Sequence, residues 1–308
     1  MASFNFPLVA NRRLKGLSIV ELMIALMLSL LILGGLFYVL FHSVTFYDHI
    51  REKRIALQRC ETVAALLLEP LMHCGYGMPL DSSAYRSSFN AAYAPFNWAG
   101  PLSVLPMTVG AITKQNAICR IAYAVPSGVH LRGTYSMEPY DFWIQLNAPV
   151  ANAGPKSAWG YKPENWILFG AIQPHSSPLA VINKAGNFLA VRAPLSAVGA
   201  VISEGDELCY FRVMEAKASG GVFYTNDHSG SGMQPRVDGV VDVRFDWDST
   251  RALMTVSILA RGDTRREKPF SKIPNNWPDV YSADLDPDVY RYVLEGVQFS
   301  MKLKNWSP

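Results

Sequence analysis

From Leu17 to Phe41 the chain holds a single charged residue, Glu21, and no other charge follows until Asp48. At about 1.5 Å per residue this run predicts a helix of roughly 37 Å, enough to cross a hydrocarbon core of about 30 Å. A carboxylate inside such a run costs a few kcal/mol or more unless it meets a partner. From Ser43 to Glu69 the pattern turns amphipathic. Ile50, Leu57, Val63, Ala64, Leu67 and Leu68 recur at three- and four-residue steps, and Asp48, Arg51, Glu52, Arg54, Arg59 and Glu61 fall on the opposite face. Pro70 marks the end of the helix or a kink. The reading is one helix over 17–69, about 80 Å long. Gly34 and Gly35 are either a soft point in it or a site of close helix packing.

Beyond residue 75 the periodicity changes to that of strands. Segments 117–125, 141–146, 166–172, 188–193, 207–215, 221–225, 239–248, 252–262 and 290–305 are rich in β-branched and aromatic residues, many alternate, and Gly, Pro, Asn or Asp separate them. Residues 77–116 and 226–236 read as loops. The fold class is therefore α+β, a long helix laid on antiparallel sheet. The expected organisation is a leader over 1–16, a long helix over 17–70 whose part 17–41 is transmembrane, and a β-rich head over 71–308.

Composition narrows the function. Half of the 308 residues are hydrophobic, and 28 basic against 25 acidic residues give a net charge of +3. Arg12, Arg13 and Lys15 precede Leu17 without any acidic residue, and the remaining charges balance. There is no basic stripe interleaved with aromatics, so no direct nucleic-acid site is evident. The basic cluster keeps the N-terminus cytoplasmic and sends the rest across the membrane. The apolar run is longer than a secretory signal, and no A-x-A site follows it. Gly16 lies before the run, so a cut there leaves the helix on the mature protein.

A basic leader ending in Gly, followed by "LSIVELMIALMLSLLILGG", resembles the class III signal of type IV pilins and pseudopilins. The resemblance implies that prepilin peptidase cuts between Gly16 and Leu17, that the new amine on Leu17 is methylated, and that Glu21 is the family's assembly glutamate. Leu17 stands where many members have Phe. Glu21 would then pair with the Leu17 amine of a neighbouring subunit, which offsets the desolvation of both charges and sets axial register. Further along, "MHCGYG" (72–77), "ELCYFRV" (207–213), "RVDGVVDVRFDWD" (236–248), "ALMTVSILARGD" (252–263) and "YRYVLEGVQFSMKLKN" (290–305) are similar to the PilW family of minor pilins. That implies a non-enzymatic structural subunit that initiates pilus assembly with other minor pilins and serves twitching motility, adhesion or DNA uptake. It would be a single-pass inner-membrane protein with a periplasmic head before assembly. The alternatives are a J-type pseudopilin of type II secretion and a membrane-tethered periplasmic binding protein or enzyme.

Cys60, Cys74, Cys119 and Cys209 all follow the apolar run and would face an oxidising compartment. Four cysteines permit three connectivities. The favoured one joins Cys60 to Cys74 and Cys119 to Cys209, with the others open. Without a C-x-x-C pair no metal site is expected, and no cofactor. Asp284, Asp286, Asp288 and Glu295 occupy positions 1, 3, 5 and 12 of a calcium loop, but Val289 replaces its sharp-turn Gly and a strand is expected from Tyr290. An acidic turn is the reading taken. "RGD" (261–263) reads as an exposed polar turn. No G-x-S-x-G, H-E-x-x-H or P-loop is present.

Overall fold

The structure, a computed structural model, describes residues 18–79, 81–87, 98, 100–105, 117–151, 153, 165–170, 177–269 and 271–303. Helix α1 runs over Ile19–Met72 and a short helix α2 over Ser82–Tyr85. The rest is antiparallel sheet. A nine-stranded sheet is built from β1 (Leu102–Leu105), β2 (Ile118–His130), β4 (Phe142–Gln145), β5 (Trp166–Gly170), β6 (Leu179–Ala185), β7 (Phe188–Arg192), β9 (Glu207–Ser219), β10 (Val222–Asn226) and β11 (Gln234–Asp238). A three-stranded sheet joins β12 (Val240–Asp248), β13 (Leu253–Arg261) and β14 (Leu294–Lys302), and β3 (Tyr135–Ser136) pairs β8 (Val201–Ile202).

The order in the large sheet is β1-β2-β9-β5-β6-β7-β4, with β10 on β9 and β11 on β10. β9 organises it. One edge pairs β2 along most of its length, and the other pairs β5 near Leu208 and β10 near Ala218.

The chain divides into two compact units inside α1, between Arg51 and Glu52. In the first unit the described residues from Ser18 to Asp48 are all exposed. In the second, one stripe of α1 enters a core with both larger sheets: Cys60, Val63, Leu67 and Leu71 meet Cys119, Ile121, Ala216, Phe223, Phe245, Val256 and Ile258. A second core lies between β4–β7 and the connections around Val150 and Ala197. A third covers the other face of β2 and β9 with Met78, Tyr85 and Trp98.

The fold class is as the periodicity predicts. Several local readings change. The buried stripe of α1 is Glu52, Ala56, Cys60, Val63, Leu67 and Leu71, whereas Ile50 and Leu68 are 47% and 45% exposed. Close approach to the sheets favours small Ala56 and Cys60 over bulky Leu, and Glu52 is admitted because it is fully hydrogen-bonded. Pro70 lies inside the helix, which continues to Met72. Two segments read as loops contain regular structure, namely α2 with β1 and, in the second, β11. β6 was not anticipated. Strand β14 starts at Leu294 and not at Tyr290, because Pro287–Arg291 forms a 3-10 turn capped by the Asp286 carboxylate.

Candidate functional site

The N-terminal helix is long and apolar enough to span a membrane. Its start follows a capping-box pattern: the Glu21 carboxylate accepts a hydrogen bond from the backbone N–H of Ser18 at 3.0 Å, and the N–H of Leu22 bonds to the Ser18 carbonyl. Glu21 therefore has a local partner within one chain, one that the spacing S-x-x-E in 18–21 already signals. Ser29 and Thr45 turn their hydroxyls onto the carbonyls of Ala25 and Phe41. The side chains of Glu21, Ser29 and Thr45 thus bond to the helix's own backbone, as a hydrocarbon surrounding would require. The helix continues unbroken through Gly34 and Gly35, where a Cβ would meet no neighbouring atom. Gly16 and Leu17 lie outside the described residues.

The head grips the second part of α1 through polar contacts. Glu52, 7% exposed, accepts three hydrogen bonds, from the backbone N–H groups of Asp263 (2.5 Å) and Thr264 (2.9 Å) and from the Thr264 hydroxyl (2.8 Å). Burial pushes its pKa up, but the bonds from Thr264 and Asp263 together outweigh it, and the net direction is down. Two turns further along, Arg59 donates to the Arg261 carbonyl at 2.6 Å and pairs with the Asp263 carboxylate at 2.5 Å. Lys53 pairs with Glu295 at 3.1 Å. The Arg261–Gly262–Asp263 turn is therefore a clamp on the helix, not an isolated exposed loop. Gly262 is required there, because a Cβ would run into the Glu52 carboxylate. Sequence reasoning placed Glu52 and Arg59 on the solvent face. Their seven-residue spacing was the available signal.

A second charged cluster lies between β2, β9 and the start of the 226–236 connection. Glu215 pairs with Arg120 at 2.6 Å and faces His228 at 3.4 Å. His228 and Arg120 first and foremost through these contacts hold the Glu215 carboxyl down at about 2, against the opposing effect of burial. The ring of Trp98 touches both neighbours of Glu215, 5.7 Å from the Arg120 guanidinium and 5.9 Å from the His228 ring. A third cluster is centred on a buried pair: Arg244 meets Asp242 at 2.6 Å, reaches the half-exposed Asp284 at 3.3 Å, and stands 5.0 Å over the Tyr281 ring. Burial raises the Asp242 pKa despite Arg244.

The cysteine pairing read from sequence requires correction. All four are buried thiols. Cys119 lies opposite Ala216, seven residues along β9 from Cys209, a displacement of roughly 23 Å at 3.3 Å per residue. Cys60 precedes Met72 by twelve helical residues, about 18 Å of rise, which the two residues to Cys74 cannot recover. A disulfide needs Cα atoms within about 7 Å, so neither predicted bridge fits. Burial raises the thiol pKa of Cys60 and Cys209 to about 12 and pushes those of Cys74 and Cys119 well above the usual thiol range, which disfavours the thiolate at all four.

The spaced carboxylates at 284–295 go to separate cations. Asp284 meets Arg244, Asp288 meets Arg265 at 2.7 Å, Glu295 meets Lys53, and Asp286 caps the turn. Among the described residues no three His, Cys, Asp or Glu side chains are grouped as metal ligands. The arrangement is suited to holding one helix firmly against a β head while the first part of that helix stays exposed. No family model, no curated protein and no solved structure matches the chain.

Proposed function

We propose that the chain is a structural minor pilin of the PilW kind. It is made as a prepilin, cut after Gly16, methylated on Leu17 and built into a type IV pilus through its N-terminal helix. The observation that carries this reading is the helix itself: an apolar surface from Ile19 onward with no buried residue up to Asp48, and one acidic side chain, Glu21, at its start. An exposed apolar surface of that length needs a covering. Lipid provides it before assembly, with the head in the periplasm, and the helices of neighbouring subunits provide it afterwards. A helical array of such contacts is heterologous and need not close. On joining the array, Glu21 exchanges its bond to the Ser18 N–H for the Leu17 amine of a neighbour, a charge pair that neither group finds alone in lipid. The head is carried on the helix by the Glu52 and Arg59 clamp.

The test is processing. Intact mass of the membrane-extracted protein should correspond to a chain beginning at methylated Leu17 when a prepilin peptidase is co-expressed, and Gly16→Val should retain the leader. Efficient cleavage of Gly16→Val, or a native chain with its leader still attached, refutes the reading.

A further inference from the structure

Between Glu21 and Asp48 the exposed part of α1 changes character along its length. The stretch 22–41 is aliphatic or aromatic but for Ser29, whose hydroxyl bonds to the Ala25 carbonyl, and Tyr38. The stretch 42–47 then brings His42, Ser43, Thr45 and Tyr47 around Val44 and Phe46. No aromatic residue occurs over 19–36, whereas Phe37, Tyr38, Phe41, Phe46 and Tyr47 follow within 37–47 and are all exposed. The rings of Tyr38 and His42 stack at 5.8 Å.

These lengths decide how the helix sits in a bilayer. The stretch 22–41 rises about 30 Å, the thickness of the hydrocarbon core. Immersing the whole run 22–47 would take about 39 Å and would carry His42, Ser43 and Tyr47 into hydrocarbon. A span beginning at Leu17 would end near Leu36, would immerse Glu21 where a carboxylate is costly, and would leave Leu40 and Phe41 outside. The span over 22–41 avoids both. Glu21 then stands at the inner boundary, with its bond from the Ser18 N–H, and Arg12, Arg13 and Lys15 lie on the same side. At the other end, 42–47 rises about 9 Å, close to the headgroup layer of about 5–8 Å on each side of the core. Rings with a polar tip collect at that level, as Tyr38, His42 and Tyr47 do here.

We propose that the unassembled chain is seated with 22–41 as its hydrocarbon span, Glu21 as the stop at the inner boundary, and 42–47 as a belt on the outer phospholipid headgroups. This rests on the membrane half of the proposed function and is independent of leader cleavage and pilus assembly. Glu21 enters an apolar surrounding only when the helix is drawn into an array of other helices.

The test is a tryptophan scan of the full chain in phosphatidylcholine vesicles. Trp98 is the first native tryptophan, so the signal of the unsubstituted chain can be subtracted. Ile24→Trp, Leu28→Trp, Ile32→Trp, Leu36→Trp and Leu40→Trp replace residues that are each more than half exposed. Fluorescence is quenched by lipids brominated either at the ends of their acyl chains or near the headgroups. The ratio of deep to shallow quenching should peak at Ile32 and fall at both Ile24 and Leu40. A lipid with a nitroxide on its headgroup should quench Phe46→Trp, and the deep bromines should not. In Glu21→Leu the peak should move towards Leu28, because the inner stop is gone. A peak at Leu28 in the chain with Glu21 intact would place that carboxylate in hydrocarbon, and a peak at Leu36 would immerse the belt; either overturns the proposal. An unmoved peak in Glu21→Leu, or no headgroup quenching of Phe46→Trp, overturns it as well. Deep quenching at none of the positions would show that α1 does not span, and the membrane half of the proposed function would fall with it.

Discussion

Glu52 tests whether the helix is held by hydrogen bonds or by charge. Its carboxylate accepts two backbone N–H groups and one hydroxyl from the turn after β13. Bonds to a charged acceptor contribute about 1.5–3 kcal/mol each. The turn lies at the surface, where Asp263 and Thr264 are exposed, so water replaces part of what is lost. Glu52→Ala should then cost about 3 kcal/mol, roughly half the gross sum. Glu52→Gln differs: its carbonyl oxygen can take the position that accepts both N–H groups, and its amide can donate to the Thr264 hydroxyl. Only charge assistance disappears, about 1 kcal/mol. At about 2–4 °C per kcal/mol for a unit of this size, the melting temperature should fall by about 6–12 °C for Ala and 2–4 °C for Gln. Tryptophan fluorescence of the full chain in micelles reports the melt. The pH dependence has a definite sign. The folded pKa of Glu52 lies below its ordinary 4.5, so its charge-dependent stabilisation is present above that value and is lost as pH falls through the lower folded pKa. The gap between wild type and Glu52→Gln should therefore be constant at pH 6–8 and close under acid. An Ala variant within about 1 kcal/mol of wild type, or a Gln variant as unstable as Ala, would refute the hydrogen-bond account.

Glu21→Ala should lower incorporation into sheared fibres while leaving the fluorescence melt of the head unchanged, and normal incorporation would show the subunit pairing to be dispensable. Arg244→Met strips the partner from buried Asp242 and should destabilise the head by about 3–5 kcal/mol in urea titration, more than Asp242→Asn, which removes the charge that Arg244 neutralises but leaves Asp284 in place. Alkylation of the unfolded, unreduced protein should label four cysteines, consistent with their separation along β2, β9 and α1; blocked Cys119 and Cys209 in one bridged peptide would contradict the strand register. Millimolar calcium should leave the melt unchanged, because Asp284, Asp288 and Glu295 already face Arg244, Arg265 and Lys53; a rise abolished by Asp286→Ala would overturn this.

Local pattern alone determined the long helix, most of the long strands and the fold class, while β1, β6 and β11 carried no legible alternation. A run without charge from Leu22 to Tyr47 is long and apolar enough to span a membrane whatever the tertiary structure is, and alternation in segments such as 239–248 reports one covered face. Pattern also flagged Glu21, since an isolated charge is visible in one dimension. The face of α1 was different. Whether Leu57 or Ala56 points inward depends on how closely the sheets approach, and only the packed structure shows that the small residues Ala56 and Cys60 fill the contact. Glu52 looked like a solvent residue because its three donors come from residues more than two hundred positions away. The cysteine pairing failed for the same reason. Strand membership of Cys119 and Cys209 was readable, but register is a property of two strands together, and a shift of seven residues separates what adjacency of strands brings near. The spaced carboxylates from Asp284 to Glu295 matched a calcium loop in sequence, yet Arg244 of β12, Arg265 of the connection after β13 and Lys53 of α1 reach them from elsewhere in the chain. Periodicity records which residues avoid water, whereas partners across the chain are chosen by three-dimensional proximity, which no single segment carries.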